Sequence, residues 1–277
     1  VNFNPRSIKY SQIISIVNQK GGVGKTTTSI NLGAALAKIG KFVLLVDLDP
    51  QANATSGFGI NWRDLKQGVY QGLMGAASFK SVIMPSGRER LHLAPATMDL
   101  AGSNVELVNL DNREMRLREA LLEVRHDYDY ILIDCPPSLG LLTLNGLVAA
   151  DKLLIPVQAE YYALEGLGQL ISTIDLVREN LRPDLGIGGA ILTMFDSRNK
   201  LSGEVMQELY KYFPQKIFRS VIPRTVKLAE APSFGKTIFE YEPSGKGASA
   251  YERLAWEVAE VLEAGEVGIM ETLNPNS

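Results

Sequence analysis

Ser15-Ile16-Val17-Asn18-Gln19-Lys20-Gly21-Gly22-Val23-Gly24-Lys25-Thr26-Thr27-Thr28 is the stretch on which the fold turns. The apolar run Ile13 to Val17 stops at polar Asn18-Gln19, glycines follow, and a helical pattern then begins with Ile30, Leu32, Ala34, Leu36 and Ile39. Strand, glycine-rich turn, Lys-Thr and helix together form the setting of a phosphate-binding loop. Glycines let successive backbone N–H groups curl round an anion, and the following helix turns its positive end toward it. Gly21, Gly22, Val23, Gly24, Lys25, Thr26 and Thr27 are the expected cradle. Lys25 would reach the outer phosphates of a nucleotide such as ATP, and the Thr26 hydroxyl would bind Mg²⁺.

The general pattern asks for a glycine five residues before the Gly-Lys pair, and that position is Gln19. The chain instead carries a second lysine, Lys20, at the mouth of the loop, reading Lys-Gly-Gly-Val-Gly-Lys-Thr-Thr. This is the deviant Walker A motif, and with it the sequence resembles the ParA/MinD ATPases, above all the chromosomal ParA (Soj) group. The resemblance implies that Lys20 crosses a dimer interface to the nucleotide held by the other subunit.

Phe42 to Val46 is a continuous apolar run, as expected for a strand buried on both faces of a parallel sheet. It delivers Asp47-Leu48-Asp49-Pro50-Gln51 to the carboxyl end of the strand, where open α/β sheets place their ligands. Alternation predicts that the Asp47 and Asp49 carboxylates point the same way, beside a metal–phosphate site. A helix cap or turn before Pro50 is the plainer use of these acids. The segment also matches the family's switch, which implies that Asp49 positions the hydrolytic water. Tyr130-Ile131-Leu132-Ile133-Asp134 is a second apolar strand ending in an acid, and Asp134 is the expected Mg²⁺-side carboxylate.

Between and beyond these, Asn53 to Gly87 reads as loops and short helices, Leu91 to Ala94 as a strand and Glu114 to Val124 as an amphipathic helix. Strands follow at Leu153–Val157, Ile187–Leu192 and Lys216–Ile222, with helices at Ala163–Glu179, Ser202–Phe213 and Tyr251–Glu263. Alternating strands and helices with short connections predict an α/β fold, a doubly wound, mostly parallel sheet flanked by helices. The expectation is a single ATPase domain over residues 1–277, with 1–11 an N-terminal extension and 264–277 a frayed tail.

The bulk properties narrow the function. The 277 residues, 45% hydrophobic and 21% charged, suit one large globular domain. No apolar run approaches the ~18 residues of a membrane span. Val1 to Tyr10 lacks the pattern of a secretory signal, and one cysteine, Cys135, permits no internal disulfide. The expected compartment is the cytoplasm. From Arg198 to Ala250, nine basic and five acidic residues give +4, leaving −7 for the remainder of a chain of net charge −3. Such a split suggests a face for an anionic partner, or merely solvated lysines.

Val221-Ile222-Pro223-Arg224 and Leu228-Ala229-Glu230-Ala231-Pro232-Ser233 resemble the corresponding Soj segments. The resemblance implies an ATP-bridged homodimer that binds double-stranded DNA without sequence preference on the nucleoid, with a ParB-like centromere-binding partner that stimulates hydrolysis. It implies DNA contacts at Arg198, Arg219, Arg224, Lys227 and Lys246, and puts Met194, Pro223 and Arg224 near the adenine. Arg224 could serve either place. A MinD-like membrane-surface ATPase needs a basic amphipathic helix at the end of the chain, whereas Glu263 to Leu273 is acidic and interrupted by glycines. An iron–sulfur electron donor needs four cysteines across a dimer, and one per subunit supplies two.

Overall fold

A computed structural model of the chain describes residues 11–160, 166–196, 198, 200–214 and 216–263. All but Ser11 of the expected extension, and the whole of the expected tail, lie outside these residues. The first half runs β1 (Gln12–Ile16), α1 (Lys25–Lys38), β2 (Val43–Asp47), α2 (Asn53–Gly57), α3 (Val69–Met74), β3 (Met84–Arg88), β4 (Leu91–Ala94), α4 (Ser103–Glu106) and α5 (Arg116–Leu122). The second half runs β5 (Tyr130–Asp134), α6 (Leu141–Ala149), β6 (Lys152–Gln158), α7 (Leu167–Asn180), β7 (Gly186–Thr193), α8 (Lys200–Tyr212), α9 (Val226–Glu230), α10 (Ile238–Tyr241) and α11 (Lys246–Glu263).

The strands form one seven-stranded sheet in the order β3-β4-β2-β5-β1-β6-β7. All neighbours are parallel except β3 and β4, a hairpin at one edge. The chain leaves β1 toward β2 on one side, while β6 leads to β7 on the other, so the crevice beside β1 is the switch point of the topology.

Alternation along the strands splits the apolar side chains between two faces. Ile13, Leu44, Ile131, Ile133, Leu153 and Ile155 belong to one core, which packs on Leu117, Leu147, Leu170 and Leu209 of α5 to α8. Ile14, Ile16, Val43, Leu45, Leu132 and Leu154 belong to the other, under Leu32 and Leu36 of α1 and Leu254 and Val258 of α11. Continuous apolar strands are thus the consequence of a sheet covered on both sides.

Three elements differ from the sequence reading. The strand β3 was expected as loop: Met84-Pro85-Ser86-Gly87-Arg88 has no apolar pattern and pairs irregularly, with a register shift between Pro85 and Arg88. The strand expected over Lys216–Ile222 is absent as an element, although the stretch runs beside β7. Phe218 N donates to Ala190 O at 3.0 Å and Ile222 N to Leu192 O at 2.8 Å. Between them Arg219 N and Ser220 N turn away to the Glu257 carboxylate, at 2.6 and 3.0 Å, which breaks the ladder. The last helix begins five residues before Tyr251, at Lys246, where Gly247 lets it lie against Leu228 and Ile238.

Leu132 sits fully buried in the central strand. Leu132→Ala should lower the unfolding free energy by about 3 kcal/mol, the usual result of a cavity that neighbours only partly fill. Urea denaturation of the two proteins measures it.

Candidate active site

The glycine-rich loop is pinned at both feet. At its start, buried Asn18 donates from Nδ2 to Pro156 O of β6 at 2.8 Å and accepts from Lys20 N at 3.0 Å. In its middle, the Val23 carbonyl accepts from Thr193 Oγ1 at the end of β7, at 2.8 Å. Gly24, with φ at +90°, makes the left-handed step into α1 that a side chain would resist. Lys25 is buried, and its Nζ donates to Lys20 O at 2.9 Å. Burial lowers its pKa, opposed by the charges of Asp134 and Asp49.

Asp134, fully buried at the end of β5, accepts from Thr26 Oγ1 at 2.7 Å and Ser29 Oγ at 2.8 Å. Burial raises its pKa to about 6, the two hydroxyl bonds pulling the other way. Thr26 and Asp134, predicted as metal-side residues, therefore meet across 108 positions of sequence. Their all-oxygen donor set suits a hard cation such as Mg²⁺.

Asp47 and Asp49, expected to point the same way, have different surroundings. Asp47 is fully buried, and its Oδ2 accepts from Thr55 N at 2.8 Å and Thr55 Oγ1 at 2.7 Å. Its Oδ1 accepts from Asp49 N at 3.2 Å, so it braces the turn into α2 instead of facing the cleft. Burial, and then the charge of Asp134, raise its pKa to about 7. Asp49 does face the cleft, a space of about 520 Å³ that it shares with Gly21, Lys25, Thr26, Ser56 and Pro137. Its Oδ1 accepts from Gln51 N at 3.0 Å.

A second space, about 290 Å³, adjoins the cleft through Gly24, Thr27 and Met194. Pro223 and Arg224 line it, as do Thr193 and Tyr251, which the sequence reading passed over. Tyr251 OH lies 3.2 Å from Thr28 Oγ1, a contact between the first helix and the last. Asn18 was visible as a polar residue closing a strand, but nothing local marks Thr193 or Tyr251.

The five basic residues have different partners. Arg198 chelates Asp196 at 2.7 and 2.9 Å, and together with Arg224 it holds that carboxyl at about 2. Arg224 also stands 3.6 Å from Glu160. Lys227 pairs with Glu230 at 2.9 Å and lies over the Tyr241 ring at 5.5 Å. Exposed Lys246 opens α11 next to Gly247, which packs on Leu228. Arg219 is apart: its backbone is held by Glu257, 11 residues and about 16 Å along α11 from Lys246.

Asp47 and Asp134 are raised above the ordinary carboxylate value, so folding takes up protons at both. Their contribution to stability is greatest below about pH 4 and is lost as pH rises through the folded values of about 6 and 7. Asp47→Asn should therefore flatten the fall in melting temperature between about pH 5 and pH 8, read by thermal denaturation in buffer without nucleotide or Mg²⁺.

The chain is similar to known proteins. The profile of a family described as an AAA domain matches residues 11–187. The sporulation initiation inhibitor protein Soj of Bacillus subtilis is 56% identical over 248 residues, covering 90% of this chain and 98% of its own. The chromosome partitioning protein ParA of Myxococcus xanthus is 53% identical, covering 89% of this chain and 87% of its own. Among solved structures, cobyrinic acid a,c-diamide synthase of Mycobacterium smegmatis with bound ADP and magnesium superposes with a TM-score of 0.83 at 36% identity, covering 96% of this chain and all of that one.

Proposed function

This chain belongs to the ParA/Soj family of partitioning ATPases, and from that premise we propose that it is an ATP-dependent dimerising switch which binds duplex DNA without sequence preference. In this reading it drives chromosome or plasmid partitioning, with slow ATP hydrolysis stimulated by a ParB-like partner. The observation that carries the proposal is the two-lysine loop itself: Lys25 is buried inside the subunit while Lys20, five residues earlier, is only half-buried at the mouth.

ATP and Mg²⁺ are its substrate and cofactor. The loop N–H groups from Gly21 to Thr27 and the Lys25 ammonium would receive the phosphates. Thr26 and Asp134 would hold Mg²⁺, which when bound neutralises phosphate charge. A buried carboxylate whose ionised form is disfavoured gains from such a cation, and this supports the fit. Asp49, the acid that lines the cleft, orients the attacking water. Lys20 reaches the nucleotide of the partner subunit. Met194, Pro223 and Arg224 line the space that receives the adenine. No helix among the described residues is long and apolar enough to cross a membrane. The reading puts the protein in the cytoplasm, on the nucleoid.

Three substitutions separate the steps. Lys25→Ala should abolish ATP binding in calorimetry. Lys20→Ala should bind ATP yet sediment as a monomer with it. Asp49→Ala should bind ATP, hydrolyse it slowly and accumulate as a dimer. Wild-type turnover in Asp49→Ala, or ATP-dependent dimers of Lys20→Ala, would contradict these roles.

DNA binding should need ATP and fall with salt, log K dropping by about 0.9 per log unit for each phosphate neutralised. Lys227→Glu, Lys246→Glu and Arg198→Glu should each weaken binding and flatten that slope. Arg219→Glu should do so less, because its backbone is held about 16 Å along α11 from Lys246. An ATP-bound dimer that ignores a labelled duplex at low salt would refute the DNA role.

A further inference from the structure

The segment from Ala231 to Tyr241 has two sides. On one, Pro232 and Ser233 line the cleft that Asp49 and Ser56 also line. On the other, exposed Phe234 stacks on Tyr241 at 5.3 Å between centroids, and Lys227 lies over that same ring. Exposed Lys236 stands in the same turn.

Two ties hold this segment to the nucleotide machinery. Asn31 of the loop helix accepts from Ile238 N at 2.8 Å. The second tie is Arg88 at the end of β3. Its guanidinium donates to Phe58 O at 3.2 Å and to Gly235 O, and it pairs with Glu240 at 3.0 Å. One planar fork therefore joins the end of α2, the helix that follows Asp49, to the turn that precedes α10.

The two turns also touch directly. A Cβ on Gly235 would stand 2.7 Å from the Gly59 Cα, and both glycines hold positive φ, at +63° and +78°. There is no slack at this contact. A displacement of the Asn53–Gly59 stretch must carry the Gly235 turn with it, because packed contacts shift as units rather than deform.

We propose that Arg88 is a positioning residue that transmits the state of the cleft to the basic surface around Lys227 and Tyr241, by clamping the Phe58 and Gly235 carbonyls together. This rests on the DNA-binding reading above and adds the route by which ATP would control it.

The test compares the parent protein with Arg88→Lys and Glu240→Gln. Arg88→Lys keeps the positive charge but loses the fork, whereas Glu240→Gln loses the ion pair and keeps both carbonyl contacts. For each, the affinity for a fluorescein-labelled duplex is measured with ATP and with ADP, ATP affinity by calorimetry and stability by thermal melting. Arg88→Lys should bind ATP as the parent does, while its ratio of DNA affinities with ATP and ADP falls about tenfold. Glu240→Gln should keep the parent ratio. A parental ratio in Arg88→Lys overturns the proposal. So does an equal loss in both variants with equal loss of melting temperature, since that is the mark of a merely structural ion pair. A parent protein that shows no ATP-dependent DNA binding instead sinks the DNA reading itself, whatever the variants do.

Discussion

The buried carboxylate of Asp134 is the constraint on which the site depends. Removing a carboxylate from water is costly unless donors replace it, and here the donors are Thr26 and Ser29, both on the first helix. The central strand thereby sets where that helix starts. The start of the helix in turn sets the loop, whose remaining contacts, to Pro156 and Thr193, come from β6 and β7. Three other strands, β5, β6 and β7, thus meet at the loop.

This explains which parts of the molecule could be read from the sequence. The strands β1, β2 and β5 are plain because burial on both faces makes them apolar runs, and each run stops at a polar residue, Asn18 after β1 and the acids Asp47 and Asp134 at the ends of β2 and β5. Glycine and Lys-Thr announce the loop because few other sequences allow its backbone. Asp47 shows the limit of such reasoning. Strand parity gave the side of the sheet on which it lies but not the Thr55 hydroxyl waiting there, which comes from the next helix. Thr193 and Tyr251 are ordinary residues in sequence, and only the fold brings them to the loop. The stretch after Lys216 reads as a strand because its side chains are apolar, yet Glu257, nearly forty residues on, takes the N–H groups a strand would have used.

The charge distribution has a similar lesson. A surplus of basic residues between Arg198 and Ala250 suggests one surface, but many of the cations are already partnered in the folded chain. Arg198 is engaged by Asp196, and Lys227 by Glu230. Exposed pairs of this kind are worth little, on the order of 1 kcal/mol or less. Their use is to hold side chains in place without committing much energy, so that a polyanion can compete for them. Sequence counts charges; the fold decides which are adjacent.

The two rims of the sheet have a consequence for how this protein can meet a copy of itself. An open strand rim invites another chain to extend the sheet, and natural proteins blunt such rims with proline, irregular pairing or a covering segment. At the β3 rim stand Pro85 and the register shift before Arg88. At the β7 rim the stretch from Lys216 to Arg224 occupies Ala190, Leu192 and Phe195 with its own backbone. Neither rim offers a ladder of free amides for a neighbour to complete. Growth by strand addition, which has no natural end, is thus disfavoured at both rims.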